Sequence, residues 1–240
     1  MDALNDSYGK LYLIPALLGE TEPLEVLPLS IKRTVEGLQH FIVENERSAR
    51  RFIKKLTPRK SQDQLVLSLL NKFTEPELLP EYLQPCLKGV SVGVLSEAGC
   101  PAIADPGAVI VQLAHQKGIQ VVPLVGPSSI LLALMASGLN GQSFAFNGYL
   151  PIEAPERRKR LRELEKRSAE LGQSQLFMET PYRNDKLFAE LLQVLRKDTR
   201  LCVAADLTLK SEYIRTRRIA EWKGQEPELN KRPAIFILLA

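Results

Sequence analysis

The chain is predicted to fold as two α/β domains, an N-terminal one on a parallel sheet and a C-terminal one on a mixed sheet. Three observations carry that prediction. Apolar runs of strand length alternate with helical patterns through the first half, the pattern of parallel strand–helix–strand units. Ile119 to Val125 is a continuous apolar run of the kind that lies centrally in a parallel sheet. In the second half, the last two strand-like runs are joined by a polar, turn-like connection, which favours a mixed sheet. Two prolines around Gly126, at Pro123 and Pro127, mark a hinge, and the boundary is placed there, giving domains 1–124 and 125–240.

In chain order, Leu11 to Pro15 reads as a short buried strand, and a turn is expected over Ala16 to Glu20, where Gly19 is the only glycine. Phe41 to Val43 is a strand, followed by a helix over Ser48 to Leu56 with its apolar positions on one face. Between Ser61 and Leu87 the leucine-rich pattern predicts two helices and a connector broken by Pro76, Pro80 and Pro85. Val90 to Leu95 is the next strand. It runs into the loop Ser96 to Gly107, SEAGCPAIADPG, and a helix from Ala108 to Lys117 follows. Beyond the hinge, a helix is expected from Ser128 or Ser129, where a hydroxyl can cap free amides. Strand-like runs then fall at Phe144 to Tyr149, Gln175 to Glu179, Leu201 to Ala205 and Ala234 to Leu239, with helices over roughly Pro155 to Gly172 and Arg183 to Lys197.

Composition narrows the function classes. With 240 residues, 45% hydrophobic and 25% charged, the chain reads as an ordinary globular protein rather than a disordered one. Its longest apolar runs, such as Ile130 to Ala136, fall short of the ~20 residues of a membrane span, and MDALNDSYGK lacks the charged and apolar regions of a signal peptide, so no membrane and a cytoplasmic location are expected. Cys86, Cys100 and Cys202 are scattered and the only histidines are His40 and His115, which supports neither a disulfide framework nor a metal site. The net charge of +4 permits a polyanionic partner. Two basic clusters stand out, both on predicted helices: Arg47, Arg50, Arg51, Lys54, Lys55, Arg59 and Lys60, a run without a single acid, and Arg157, Arg158, Lys159, Arg160, Arg162, Lys166 and Arg167, diluted by Glu156, Glu163 and Glu165. Each reads either as a solvated helix face or as a phosphate-binding surface.

The glycine- and proline-rich loop at the carboxyl end of a strand is where open α/β sheets hold ligands. Ser96 to Gly107, followed by Val122-Pro123-Leu124-Val125-Gly126-Pro127-Ser128-Ser129, then Ala136-Ser137-Gly138-Leu139, then Phe146-Asn147-Gly148-Tyr149-Leu150-Pro151, resembles the tetrapyrrole-methylase-like (class III) S-adenosylmethionine methyltransferases. Within them, the similarity is to the branch that methylates a cytidine ribose 2'-oxygen in small-subunit ribosomal RNA. The resemblance implies an S-adenosylmethionine site in the cleft between two domains and a homodimer. It also implies cofactor contacts from Gly99, Cys100, Pro101 and Ile103 in the loop, from Ser128 and Ser129 after the hinge, and from Leu18, Met178, Ala205 and Ala234 at strand ends. Glu44 and Arg47 match that branch's Glu-Asp-Thr-Arg, whereas Asn45 and Glu46 depart from it, and Glu179 to Arg183 resembles its Glu-x-Pro-His-Arg with Tyr182 in place of histidine. A further small helical domain usual in that branch is not expected here, because the chain ends at its last predicted strand.

A ribose hydroxyl is a poor nucleophile, so methylating it calls for a positioned base. Glu44, Glu97 and Asp105 are the acids beside the loop, and Glu44 and Glu97 are the candidate catalytic residues. Each can equally cap a helix or pair with an arginine such as Arg47. Three readings stand: a ribose methyltransferase acting on ribosomal RNA, a methyltransferase for a tetrapyrrole or other small molecule, and a catalytically silent relative that binds RNA or the cofactor.

Overall fold

The computed structural model describes residues 7–240, so the segment weighed for a signal peptide lies largely outside the described residues. The chain forms two compact units that divide between Ser128 and Ser129. The first contains β1 (Leu11–Ile14), α1 (Pro23–Val26), α2 (Leu29–Gly37), β2 (His40–Val43), α3 (Glu46–Leu56) and β3 (Val66–Leu69). After these come α4 (Leu79–Tyr82), α5 (Gln84–Leu87), β4 (Val92–Leu95), α6 (Gly107–Gln116) and β5 (Val121–Pro123). The five strands lie in the order β3-β2-β4-β1-β5, and every pairing is parallel. Successive residues of β2 serve opposite faces: Phe41 packs with Ile31, Val35 and Ile53, while Ile42 packs with Leu11, Val94 and Ile110. A sheet covered on both faces is why these strands read as unbroken apolar runs.

Three expectations are corrected here. Residues 66–69 form a strand paired with β2, with His40 opposite Val66, instead of a helix. The leucines at 65, 67 and 69 are spaced by two, the strand period, and their density concealed it. The second predicted helix survives only as a 3-10 turn at Pro76–Leu78 followed by α4 and α5, because the prolines at 76, 80 and 85 interrupt it. The run from Ile119 to Val125 lies at the sheet's edge instead of its centre: only Val121–Pro123 pairs, with β1 alone, and Val125 is 77% exposed.

The second unit contains α7 (Ser129–Ser137), β6 (Phe144–Tyr149), α8 (Ala154–Leu171), β7 (Ser174–Met178), α9 (Asn184–Val194), β8 (Arg200–Ala205), β9 (Tyr213–Arg218) and β10 (Ala234–Leu239). Its order is β6-β7-β10-β8-β9, with β6 parallel to β7 and the remaining pairs antiparallel, the mixed sheet that was predicted. β9 is a strand that the sequence reading passed over as connection. Three arginines in YIRTRR mask an alternation in which Ile214 and Thr216 are β-branched. The core stacks Phe177 on Phe236 and sets Phe188 edge-on to Trp222. α8 buries Leu161, Leu164 and Ser168 on one stripe and ends at Gly172, whose φ of +58° closes the helix in the left-handed region.

Candidate active site

β4 delivers the chain into the loop at Ser96, and that loop is tied down on three sides. Ala16 and Gly99 exchange backbone hydrogen bonds, from the Ala16 amide at 2.9 Å and the Gly99 amide at 3.3 Å, which fixes the turn after β1 against the loop after β4. The Ser96 hydroxyl donates to the Gly99 carbonyl at 2.8 Å. Asp105 Oδ1 accepts from the amides of Ala102 and Gly107, both at 2.8 Å. Ala102 and Ala104 sit at φ of +66° and +59°, a region that costs a residue with a Cβ roughly 1–2 kcal/mol, so Asp105 holds a strained backbone in place. Gly99 has φ +71°, and a Cβ there would come within 3.2 Å of Leu18 Cδ2 and 3.4 Å of the Pro127 carbonyl. A Cβ on Gly126 would lie 2.3 Å from that of Pro15, so the segment before the unit boundary packs against the β1 turn only as glycine.

The predicted acids meet in this place. Glu44 follows β2 and Glu97 lies two residues beyond β4; the Glu97 amide points at Glu44 Oε1 over 3.5 Å, and the Ser48 hydroxyl donates to Glu97 Oε1 at 2.6 Å. Burial, then the negative charges of Asp105 and Glu97, push the Glu44 carboxyl above its ordinary value. Burial does the same for Asp105, against two backbone amides that lower it. The capping alternative for Glu44 falls away, because Asn45 caps α3, accepting from the amides of Arg47 (2.9 Å) and Ser48 (3.1 Å). Pairing with Arg47 falls away too, since Arg47 makes no ion pair among the described residues. The two departures from the expected motif thus have local explanations: Asn45 is the cap and Glu46 pairs with Arg50 one turn on, at 2.8 Å.

At Glu97, at the carboxyl ends of β1 and β4, a cavity of about 240 Å³ is lined by Leu18, Ser48, Arg51, Phe52, Lys55 and Glu97, while Glu44 and Asp105 line a separate, smaller pocket. Lys55 donates to the Thr21 carbonyl at 2.8 Å and faces Glu22, while Arg51 reaches Glu20 only at 3.9 Å, with both side chains exposed. Of the predicted cofactor contacts in this unit, Gly99, Cys100, Pro101 and Ile103 share the strained loop and Leu18 abuts it. Cys100 Sγ lies 3.5 Å from the Pro127 carbonyl, and burial raises its pKa. Ser128 closes the first unit.

In the second unit, Ser129 begins α7. Ala205 stands opposite Ala234 and Met178 opposite Ile235, so Met178, Ala205 and Ala234 share one end of the three adjacent strands β7, β10 and β8. The loop leaving Ala205 carries residues the sequence reading missed. Asp206 and Thr208 are both at positive φ, Asp206 pairs with Arg232 at 2.7 Å, and the Thr208 hydroxyl is buried without a hydrogen-bond partner. Two strained residues, one on either side of Leu207 and close to predicted contacts, are a signal only the backbone reveals. Arg183 donates to the buried Glu179 at 2.6 Å at the start of α9, and Tyr182 is exposed. Cys86 and Cys202 are buried, with thiols pushed up to about 11 by that burial.

Residues 11–223 match the family described as Tetrapyrrole (Corrin/Porphyrin) Methylases. The chain belongs to that family. A ribosomal RNA small subunit methyltransferase I of Vibrio cholerae is 29% identical to this methylase over 231 residues, covering 95% of this chain and 76% of the relative. The protein of the same name from Bacillus subtilis is 30% identical over 208 residues, covering 86% and 67%. Among solved structures, a uroporphyrin-III C-methyl transferase from Thermus thermophilus complexed with S-adenyl homocysteine shares the fold with a TM-score of 0.55 at 19% identity, over 96% of this chain and 97% of that one. No described helix of the methylase is long and apolar enough to cross a membrane.

Proposed function

We propose that this methylase uses S-adenosylmethionine to methylate a ribose 2'-hydroxyl, of the cytidine type, in small-subunit ribosomal RNA. The observation that carries the reading is a cavity lined by Arg51, Lys55 and Glu97, with Glu44, whose carboxyl burial pushes up in pKa, facing the Glu97 amide over 3.5 Å. The names of the relatives in Vibrio cholerae and Bacillus subtilis supply the acceptor class.

The residues fit the cofactor. Gly99 leaves open a space that a Cβ would fill, and exposed Ile103 and Val125 offer apolar surface. When bound, the cofactor supplies a methyl carbon activated on a positively charged sulfur. Gly99, Cys100, Pro101, Ile103, Leu18 and Ser128 from the first unit, with Ser129, Met178, Ala205 and Ala234 from the second, are the proposed contacts. Glu44 would take the proton of the acceptor hydroxyl as the cofactor's methyl group is transferred to it, and its raised pKa would bring it closer to the proton it must accept. Glu97, fixed by Ser48, accepts a hydrogen bond from the ribose and aligns it for the in-line attack. Arg51 and Lys55 hold the flanking phosphates. We further propose that the protein works in the cytoplasm as a homodimer, which light scattering on the purified protein would test.

The functional test is transfer of labelled methyl from S-adenosylmethionine to purified small ribosomal subunits, beside Glu44→Gln. Label on a ribose oxygen that the variant loses is the expected result. Label that appears only on a tetrapyrrole acceptor would move the activity to small molecules, and cofactor binding without any transfer would leave a silent relative.

A further inference from the structure

The sequence offers α3 and α8 as phosphate-binding surfaces, yet the structure engages many of their cations internally. In α3, Arg50 is held by Glu46 and the Gln62 carbonyl and Lys54 by the Pro58 carbonyl, while just beyond it Lys60 is held by the Glu36 carbonyl. In α8, Arg157 and Arg158 both bind Glu190, Arg160 reaches Glu163 and Asn147, and Lys166 pairs with Glu170. A further set of cations without ion pairs among the described residues lies elsewhere, on the edge of the second sheet, where two of them stand directly opposite each other. β9 carries Arg215, Arg217 and Arg218, and its other side is unpaired.

Cross-strand register sharpens the point. Arg200 on β8 stands directly opposite Arg218 on β9, and both are exposed. Like charges directly opposite destabilise a strand pair. Neither guanidinium makes an ion pair among the described residues, and the nearby acids are occupied: Glu221 accepts from the Arg218 amide at 3.0 Å and Glu212 from the Thr208 amide at 2.8 Å. On the other face, Arg215 is likewise without an ion pair, and Arg217 lies over the Trp222 ring with its Nε buried and unpartnered. A charged edge strand is also a means of preventing edge-to-edge association. That purpose is met by isolated charges of either sign and does not call for an opposed pair of one sign on neighbouring strands.

We infer that the β8–β9 edge, through Arg200, Arg215 and Arg218, is a docking surface for the phosphate backbone of the RNA acceptor. Arginine matches phosphate geometry, and an external polyanion relieves the opposed charges that the fold leaves uncompensated. This rests on the RNA reading above and adds to it a surface outside the cavity.

The test is fluorescence anisotropy of a short labelled single-stranded RNA across a salt series, with the full chain, an Arg200→Gln/Arg215→Gln/Arg218→Gln variant, and a charge-matched Lys159→Gln/Arg162→Gln/Arg167→Gln variant on α8. The edge variant is expected to lose roughly tenfold or more in affinity at low salt, and its slope of log affinity against log salt should shallow by about 2, near 0.7 for each lost phosphate contact. The α8 variant should change much less, and calorimetry should show unchanged cofactor affinity in both. Equal effects of the two variants, or none from the edge variant, would overturn the docking surface while leaving the RNA reading intact. Failure of the unaltered protein to bind RNA at low salt would overturn both. Cosedimentation with anionic phospholipid vesicles, lost in the edge variant while RNA affinity persists, would give the edge to a lipid surface instead.

Discussion

α3 and α8 look alike as strings, two helices dense in arginine and lysine, and they do different work. α3 lies on the first sheet with Ala49, Ile53 and Leu56 buried, and presents Arg51 and Lys55 to a cavity that Glu97 also lines. α8 buries one of its own arginines: Arg157 is 4% exposed and bonds Glu190 of α9, which also holds Arg158 at 2.7 Å, while Arg157 donates to the Ile152 carbonyl at 2.5 Å. Charge density along a helix therefore says little about recognition until the acids of neighbouring elements are in view.

The largest effect that separates the two helices is on stability. Glu190→Ala, which leaves Arg157 buried without its partner, is expected to destabilise the fold by about 3–5 kcal/mol, read as a fall in Tm. Arg51→Ala with Lys55→Ala should leave stability within about 1 kcal/mol, two exposed substitutions of about 0.5 each, and weaken acceptor binding instead, a contrast that paired melting and filter-binding measurements would show. Equal losses of Tm would collapse the distinction.

Two carboxylates extend the comparison to pH. Burial pushes Glu190 up, but hydrogen bonds and charge from Arg157 and Arg158 outweigh it and hold the group below its ordinary value. Its contribution is therefore present above the ordinary glutamate range and is lost as pH falls through its lowered value. Glu44, raised, behaves oppositely: the folded protein binds its proton more tightly than the unfolded chain, so its contribution declines as pH rises from the ordinary value through the raised one. Glu44→Gln should cut methyl transfer by about 10²–10⁴ and yet raise Tm at neutral pH, with no gain under acid conditions. A variant that lost Tm at neutral pH would show that Glu44 serves the fold.

Smaller effects follow along α3 and β9. Asn45→Ala should cost about 1 kcal/mol by uncapping α3, measurable by denaturant titration. Arg218→Gln should stabilise the isolated protein by about 0.2–1 kcal/mol by removing the charge opposite Arg200, a gain that added salt would erase.

The particular residues show how far the linear code reached. The loop Ser96 to Gly107 was legible because glycine and proline punctuation after an apolar strand has local causes, and Glu44 and Glu97 were legible as acids at strand ends. β3 and β9 were not: the first hid in a leucine-dense stretch, the second in arginines, and both are edge strands whose pairing partner does more to define them than their own composition. The capping role of Asn45 was likewise invisible while it was read only as a departure from a motif.

By itself, then, the sequence determined the alternation of strands and helices, the mixed character of the second sheet and the place of the glycine- and proline-rich loop after β4, since period, turn residues and strand ends are properties of neighbours along the chain. Tertiary structure alone decided which strands became edges, which cations were neutralised and which stood opposed, because charge compensation depends on side chains that meet only after folding: Arg157 finds Glu190 across 33 positions, and Arg218 stands opposite Arg200.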